Sequence, residues 1–231
     1  MDNFHRRLAQ IAFDAGDDLG LVLAGGYAIA MHELTSRPSH DVDFATASPL
    51  PLPQIVERLA DAYRVEGLTV TVIEVTRRMA RMDVHAGTQM CEVDLLKEAI
   101  GPPVRFRVGP VLAIDDAIGL KMRALHDRAL HRDFIDVHAA ARSGYTPSDL
   151  EHFGRRHAPH FILSDLADRL ASIDDRDDRT FTDYGLDDQQ IRDLRTWASG
   201  WEGDIRLRLS SDAGLPPRPE KPDWDAYLDN E

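Results

Sequence analysis

Two aspartates one residue apart, Asp41 and Asp43, sit in the apolar stretch His40-Asp41-Val42-Asp43-Phe44. In a strand, residues i and i+2 point to one face, so these carboxylates would stand side by side. Each would raise the other's pKa unless a positive charge lay between them. Mg²⁺ supplies such a charge, because it takes hard carboxylate oxygens and bridges to substrate phosphates. Just upstream, Leu21-Val22-Leu23-Ala24 runs into Gly25-Gly26, where the missing side chains let the backbone approach a polyphosphate. Aspartate more often caps a helix from a loop, but an apolar strand is a setting from which it is depleted. Burying the pair with no counter-charge would also be costly. A metal or phosphate role accounts for both residues.

Asp94 repeats the theme in Val93-Asp94-Leu95-Leu96, with Glu92 two positions earlier on the same strand face. Further on, Lys121 lies in a helix-like run, and Arg132-Asp133-Phe134-Ile135-Asp136 follows it. Ten histidines are present, but none has the spacing of a zinc site. His126, His131 and His138 flank the Lys121 region and read as solvated helix positions, with contact to a base or phosphate as the alternative. Tyr27 beside the glycines reads either as core or as a platform for a nucleobase.

These residues need elements to position them. Apolar periodicity predicts a helix over 4–19, a strand over 21–24, a helix over 27–34 and a second strand over 41–45. Prolines at 49, 51 and 53 precede a helix over 52–63. Alternating β-branched and apolar residues predict strands over 68–73, 80–84 and 90–96. The order implies an α/β (α+β) fold, a mixed sheet with a few covering helices. From Gly101-Pro102-Pro103 onward the pattern turns helical, with an Asp N-cap at 115–116 opening a helix to about 127. Helices follow over 132–142, from 147, over 163–170 and over 187–201. Residues 212–223 hold four prolines in twelve positions and read as an extended arm. The expected organisation is a catalytic core over 1–100, a helical part over 101–211 and a Pro-rich tail over 212–231.

Composition narrows the function classes. The net charge of −13, from 27 basic and 40 acidic side chains, argues against nucleic-acid binding over the whole surface. The basic residues between Arg77 and Arg132 are expected to gather on one face beside Asp41, away from the acidic C-terminal third. No run approaches the roughly 20 apolar residues that span a bilayer, so no membrane role is expected. The mixed charges at the N-terminus do not read as a secretory signal. Cys91 is the sole cysteine, which excludes an internal disulfide and fits a reducing cytoplasm.

Gly-Gly, a helix-length spacer and Asp-x-Asp together resemble the signature of the polymerase-β-like nucleotidyltransferase superfamily. The helical Lys121 followed by Arg-Asp-x-x-Asp resembles the AbiEii-type nucleotidyltransferase toxins, which include the MenT toxins. The resemblance spans about residues 20–140. It implies a nucleotidyltransferase that moves NMP from an NTP to a hydroxyl and releases pyrophosphate. Asp41, Asp43 and Asp94 would bind Mg²⁺ or Mn²⁺. Gly25, Gly26, Ser39 and Lys121 would hold the triphosphate. Asp136 matches the family's helical catalytic aspartate, with Asp133 as the alternative. The resemblance further implies a type IV-like toxin acting on RNA, with the tRNA 3′ end as acceptor and a cognate antitoxin as partner. A small-molecule, aminoglycoside-like transferase and a non-catalytic nucleotide-binding module are the alternatives.

Overall fold

The computed structural model describes residues 1–213. Helix α1 (Asn3–Asp14) opens on Asp2, whose carboxylate accepts the His5 backbone N–H at 2.8 Å. It buries Phe4, Leu8 and Ala12 at helical spacing. It stops before the expected residue 19, because Gly16 adopts φ +143° and only a 3₁₀ turn, Asp17–Leu19, follows. Strand β1 (Leu21–Leu23) leads into α2 (Gly25–Met31), which starts at the first glycine rather than at Tyr27. Then come β2 (Asp41–Thr46), α3 (Leu52–Val65), β3 (Thr69–Val75), β4 (Met79–Ala86) and β5 (Gln89–Lys97).

Two strands escaped the sequence reading, β6 (Val104–Phe106) and β7 (Gly109–Val111). Each is three residues long and set among Pro102, Pro103, Gly109 and Pro110, so neither shows a period. They complete one mixed seven-stranded sheet in the order β3-β4-β5-β2-β1-β7-β6. The parallel pairing of β7 with β1 anchors the chain beyond residue 100 to that sheet.

The rest of the described chain is helical: α4 (Ile114–Asp127), α5 (His131–Arg142), α6 (Pro147–His157), α7 (Leu163–Ala171), α8 (Asp178–Thr182) and α9 (Asp188–Ala213). The N-cap of α4 is Ala113 rather than an aspartate; Asp115 and Asp116 fall in the first turn, where their charge suits the helix dipole. Thr146 caps α6 reciprocally with Asp149, and Pro147 takes the first turn. Helix α9 outruns the expected end at 201 because Ile205 is still buried. Its tie to α6 is ionic: buried Glu151 accepts from Arg208 Nη2 at 2.5 Å and from the Trp201 indole at 3.3 Å. The Pro-rich tail expected from residue 212 lies, past Ala213, outside the described residues.

Candidate active site

Strand pairing builds the site. Asp41 lies opposite Glu92, and Asp43 opposite Asp94, across the parallel pair β2–β5. The antiparallel β4 sets Arg81 opposite Asp94 and Asp83 opposite Glu92. The intervening residues, Val42, Phe44, Val93, Leu95 and Met82, are fully buried. Alternation therefore gives these strands one apolar face and one face of carboxylates.

The glycines make room for that acidic face. Gly25 has φ +57°, and a Cβ there would stand 1.7 Å from Asp43 Oδ2. A Cβ on Gly26 would stand 2.5 Å from Ser39 Oγ. The space that side chains would fill is thus taken by the Asp43 carboxylate and the Ser39 hydroxyl. Ser39 Oγ donates to Asp41 Oδ1 at 3.0 Å, which places Ser39 beside the acid pair. Tyr27 is buried; its hydroxyl lies 2.6 Å from His5 Nδ1 and reaches the Ser39 carbonyl at 3.5 Å. Its ring is core, and its hydroxyl steadies the loop before β2.

The four key aspartates differ in company. Among the described residues nothing donates a hydrogen bond or an ion pair to the Asp43 carboxylate. Burial first, then the charges of Asp41 and Asp94, push its pKa up to about 7, against the pull of Lys121 and Arg132. Asp41 also accepts Arg132 Nη1 at 3.1 Å. Asp94 receives both arms of Arg81, Nε at 2.8 Å and Nη2 at 2.7 Å, and the same guanidinium lies 3.2 Å from Glu92. Asp136 is fully buried and held by two cations. Arg37 donates Nε to Oδ1 and Nη2 to Oδ2, both at 2.6 Å, and Lys121 Nζ lies 2.9 Å from Oδ2. Burial works to raise the pKa of Asp136, but Lys121 and Arg37 outweigh it and hold the carboxyl below its usual range.

Asp133 takes a different place. It accepts the Leu130 backbone N–H at 3.0 Å at the start of α5 and Arg128 Nε at 3.1 Å. The expectation that His126, His131 and His138 are solvated fails. His126 is buried and stacks on Phe161, while His131 and His138, partly buried, pack against Phe181 and Trp197. Nor do the basic residues form one free positive face. Arg81, Lys121, Arg123, Arg128 and Arg132 each pair with a carboxylate, and Arg105 and Arg107 line a cavity of about 740 Å³ by β6 and β7.

Sequence reasoning missed Arg37, and it counted Arg132 among the basic residues expected beside Asp41 without pairing it to that carboxylate. Both sit next to residues it did single out, Arg37 in Arg-Pro-Ser-His-Asp and Arg132 just before Asp133. Nothing local says that Arg37 reaches a carboxylate 99 residues away.

The donor chemistry fits a divalent cation at Asp41 and Asp43. Mg²⁺ commonly takes one or two carboxylates, several waters and substrate phosphates rather than an all-protein cage. Asp43 has two oxygens with no donor among the described residues, beside the oxygens of Asp41. Among the described residues no three His, Cys, Asp or Glu side chains are arranged to hold a metal ion. Asp94 is across from Asp43, but both its oxygens go to Arg81.

This fold is shared by solved structures. JHP933 from Helicobacter pylori aligns over 90% of this chain and 93% of its own, with a TM-score of 0.52 and 18% identity. A second solved structure, of an H. pylori protein provisionally assigned as a nucleotidyltransferase, aligns over 91% and 98%, with a TM-score of 0.54 and 17% identity. MenT4, a nucleotidyltransferase toxin from Mycobacterium tuberculosis H37Rv, aligns over 85% and 76% at 18% identity, with a TM-score of 0.45. No curated protein matches the sequence. These likenesses show a shared α/β fold. The family is fixed by the sequence match: residues 6–230 fit the model of the nucleotidyl transferase AbiEii toxin, type IV toxin–antitoxin system, and the chain belongs to that family.

Proposed function

We propose that this nucleotidyltransferase moves NMP from an NTP to a hydroxyl of RNA, with the tRNA 3′ end as acceptor, in the cytoplasm. One observation carries the reading: the β2–β5 register sets Asp41, Asp43 and Asp94 on one strand face against a glycine turn. Mg²⁺ or Mn²⁺, bound by Asp41 and Asp43, would supply charge stabilisation on the phosphates and a more acidic attacking hydroxyl. Lys121 and Ser39 orient the triphosphate, and Gly25 and Gly26 leave the room that the Asp43 carboxylate and the Ser39 hydroxyl occupy beside it. Asp94, neutralised by Arg81, borders the acceptor side of the pair. In-line displacement asks the protein mainly for positioning and for charge complementary to the transferred phosphoryl group, which these groups provide. The family's type IV description supports an antitoxin partner. No described helix is long and apolar enough to cross a membrane.

A small cationic acceptor is the competing reading. It draws support from the arginines around the site, which are already paired with carboxylates and leave little free positive charge for RNA phosphates. Incubating the protein with each α-labelled NTP, Mg²⁺ and total tRNA separates the two. Label on tRNA that weakens steeply with salt supports the RNA reading, because each neutralised phosphate releases counterions. Label on aminoglycosides and never on RNA overturns it.

A further inference from the structure

Three ionic groups meet where the loop before β2 crosses α4 and α5. Arg37 and Lys121 both engage Asp136, whose side chain is wholly inaccessible; those of the two cations are only 4% and 10% exposed. A lone carboxylate would tie Lys121 into a neutral pair. Here there are two cations for one anion, so the cluster keeps a net positive charge. Of the other cations on the acidic face, Arg132 is paired with Asp41 and Arg81 is shared between Asp94 and Glu92.

We propose that Arg37 is a positioning residue for nucleotide binding: its bidentate grip on Asp136 cancels that carboxylate and leaves the charge of Lys121 available to the triphosphate. The inference rests on the nucleotidyl-transfer reading above. The planar guanidinium matches both oxygens of Asp136 at once, which a lysine ammonium cannot do. Arg37 is fixed from other sides as well. Its Nη1 donates to the Pro38 carbonyl at 3.0 Å, and its guanidinium carbon lies 5.5 Å from the centre of the Tyr184 ring. Gly26 leaves it space, since a Cβ there would stand 3.1 Å from Nη2. Asp136, with its oxygens taken up by Arg37 and Lys121, acts through Lys121 and does not touch the reacting atoms.

The test uses the full chain with Mg²⁺, comparing affinity for each NTP with that for the matching NMP by calorimetry, alongside thermal unfolding. Arg37→Gln should weaken NTP binding about 10-fold or more, as expected for losing a unit charge near an anion in a partly shielded site. NMP binding should change less, because fewer phosphate charges are involved. Arg37→Lys keeps the charge without the fork and should fall between Gln and wild type. The decisive variant is Arg37→Gln with Asp136→Asn, which removes one charge of each sign and restores the net positive cluster. It should regain most of the lost NTP affinity. NTP binding by folded Arg37→Gln as tight as wild type overturns the proposal. So does a double variant that binds NTP no better than Arg37→Gln. If Arg37→Gln unfolds, the NTP-to-NMP ratio of Arg37→Lys decides: a ratio equal to wild type overturns the proposal. Wild-type protein that binds no NTP would instead overturn the nucleotidyl-transfer reading itself.

Discussion

Asp43 is partly buried and Asp136 fully buried, and their surroundings push them in opposite directions. Asp43 faces Asp41 and Asp94, has no donor to its own carboxylate among the described residues, and is pushed up to about 7. Asp136 sits between Arg37 and Lys121 and is held below the usual carboxylate range. Burial raises the pKa of both; neighbouring charge decides the sign. A carboxylate left among like charges suits an incoming cation. A carboxylate saturated by cations fixes its partners.

The largest expected effect comes from the acidic face. Asp41→Ala should abolish transfer, and Asp43→Asn should do the same, a loss on the order of 10³-fold or more if the pair stabilises charge in the transition state. Both variants should melt at or above the wild-type temperature, because each relieves repulsion. Labelled-NTP turnover and thermal unfolding measure the two halves. Full activity in Asp41→Ala would remove the chemical distinction between the two aspartates.

Lys121→Ala should slow transfer by about 10²-fold, as for loss of a preorganised electrostatic donor. Unchanged single-turnover rates would demote Lys121 to a structural partner of Asp136.

Asp136→Asn tests the other side of the contrast and should destabilise the fold by about 3–5 kcal/mol, because it strands two enclosed cations. The pH dependence has a definite sign. The unfolded carboxyl titrates near its reference value of about 3.9, above its folded pKa, so on acidification the unfolded chain takes up the proton first. The stability from this cluster should therefore be complete above that value and be lost as pH falls through the lower folded pKa. Urea melts of wild type and Asp136→Asn across acid pH should converge. Parallel curves would mean that the pairing contributes nothing.

The smallest effect belongs to Arg128→Ala. Its guanidinium is about half exposed, but Asp133 is fully buried and would keep only the Leu130 N–H, so losing the pair should cost about 1–3 kcal/mol and leave transfer intact. A large loss of turnover would place Asp133, rather than Asp136, in the machinery.

Much of the acidic face was legible locally. Val42 and Phe44 alternate with Asp41 and Asp43, and Val93 and Leu95 alternate with Asp94, so period-two reasoning assigned these residues to one side of a strand. Helices α4, α5 and α6 were readable from their apolar spacing and from the Thr146-Pro147 start. Strands β6 and β7 were not, because three residues carry no period and their stability comes from pairing. The end of α9 was hidden for a similar reason: its last turns alternate Ile205, Leu207 and Leu209 with polar residues, which is not a helical period, and what keeps Ile205 buried is a neighbouring helix.

The sequence by itself determined the acid pair, the glycines and the order of most elements, since each depends on spacing within a few residues. Tertiary structure alone decided which aspartate would be neutralised. Arg37 meets Asp136 across 99 residues, and Arg132 meets Asp41 across 91. Coulomb energy depends on separation in space and on burial, and neither is written into separation along the chain.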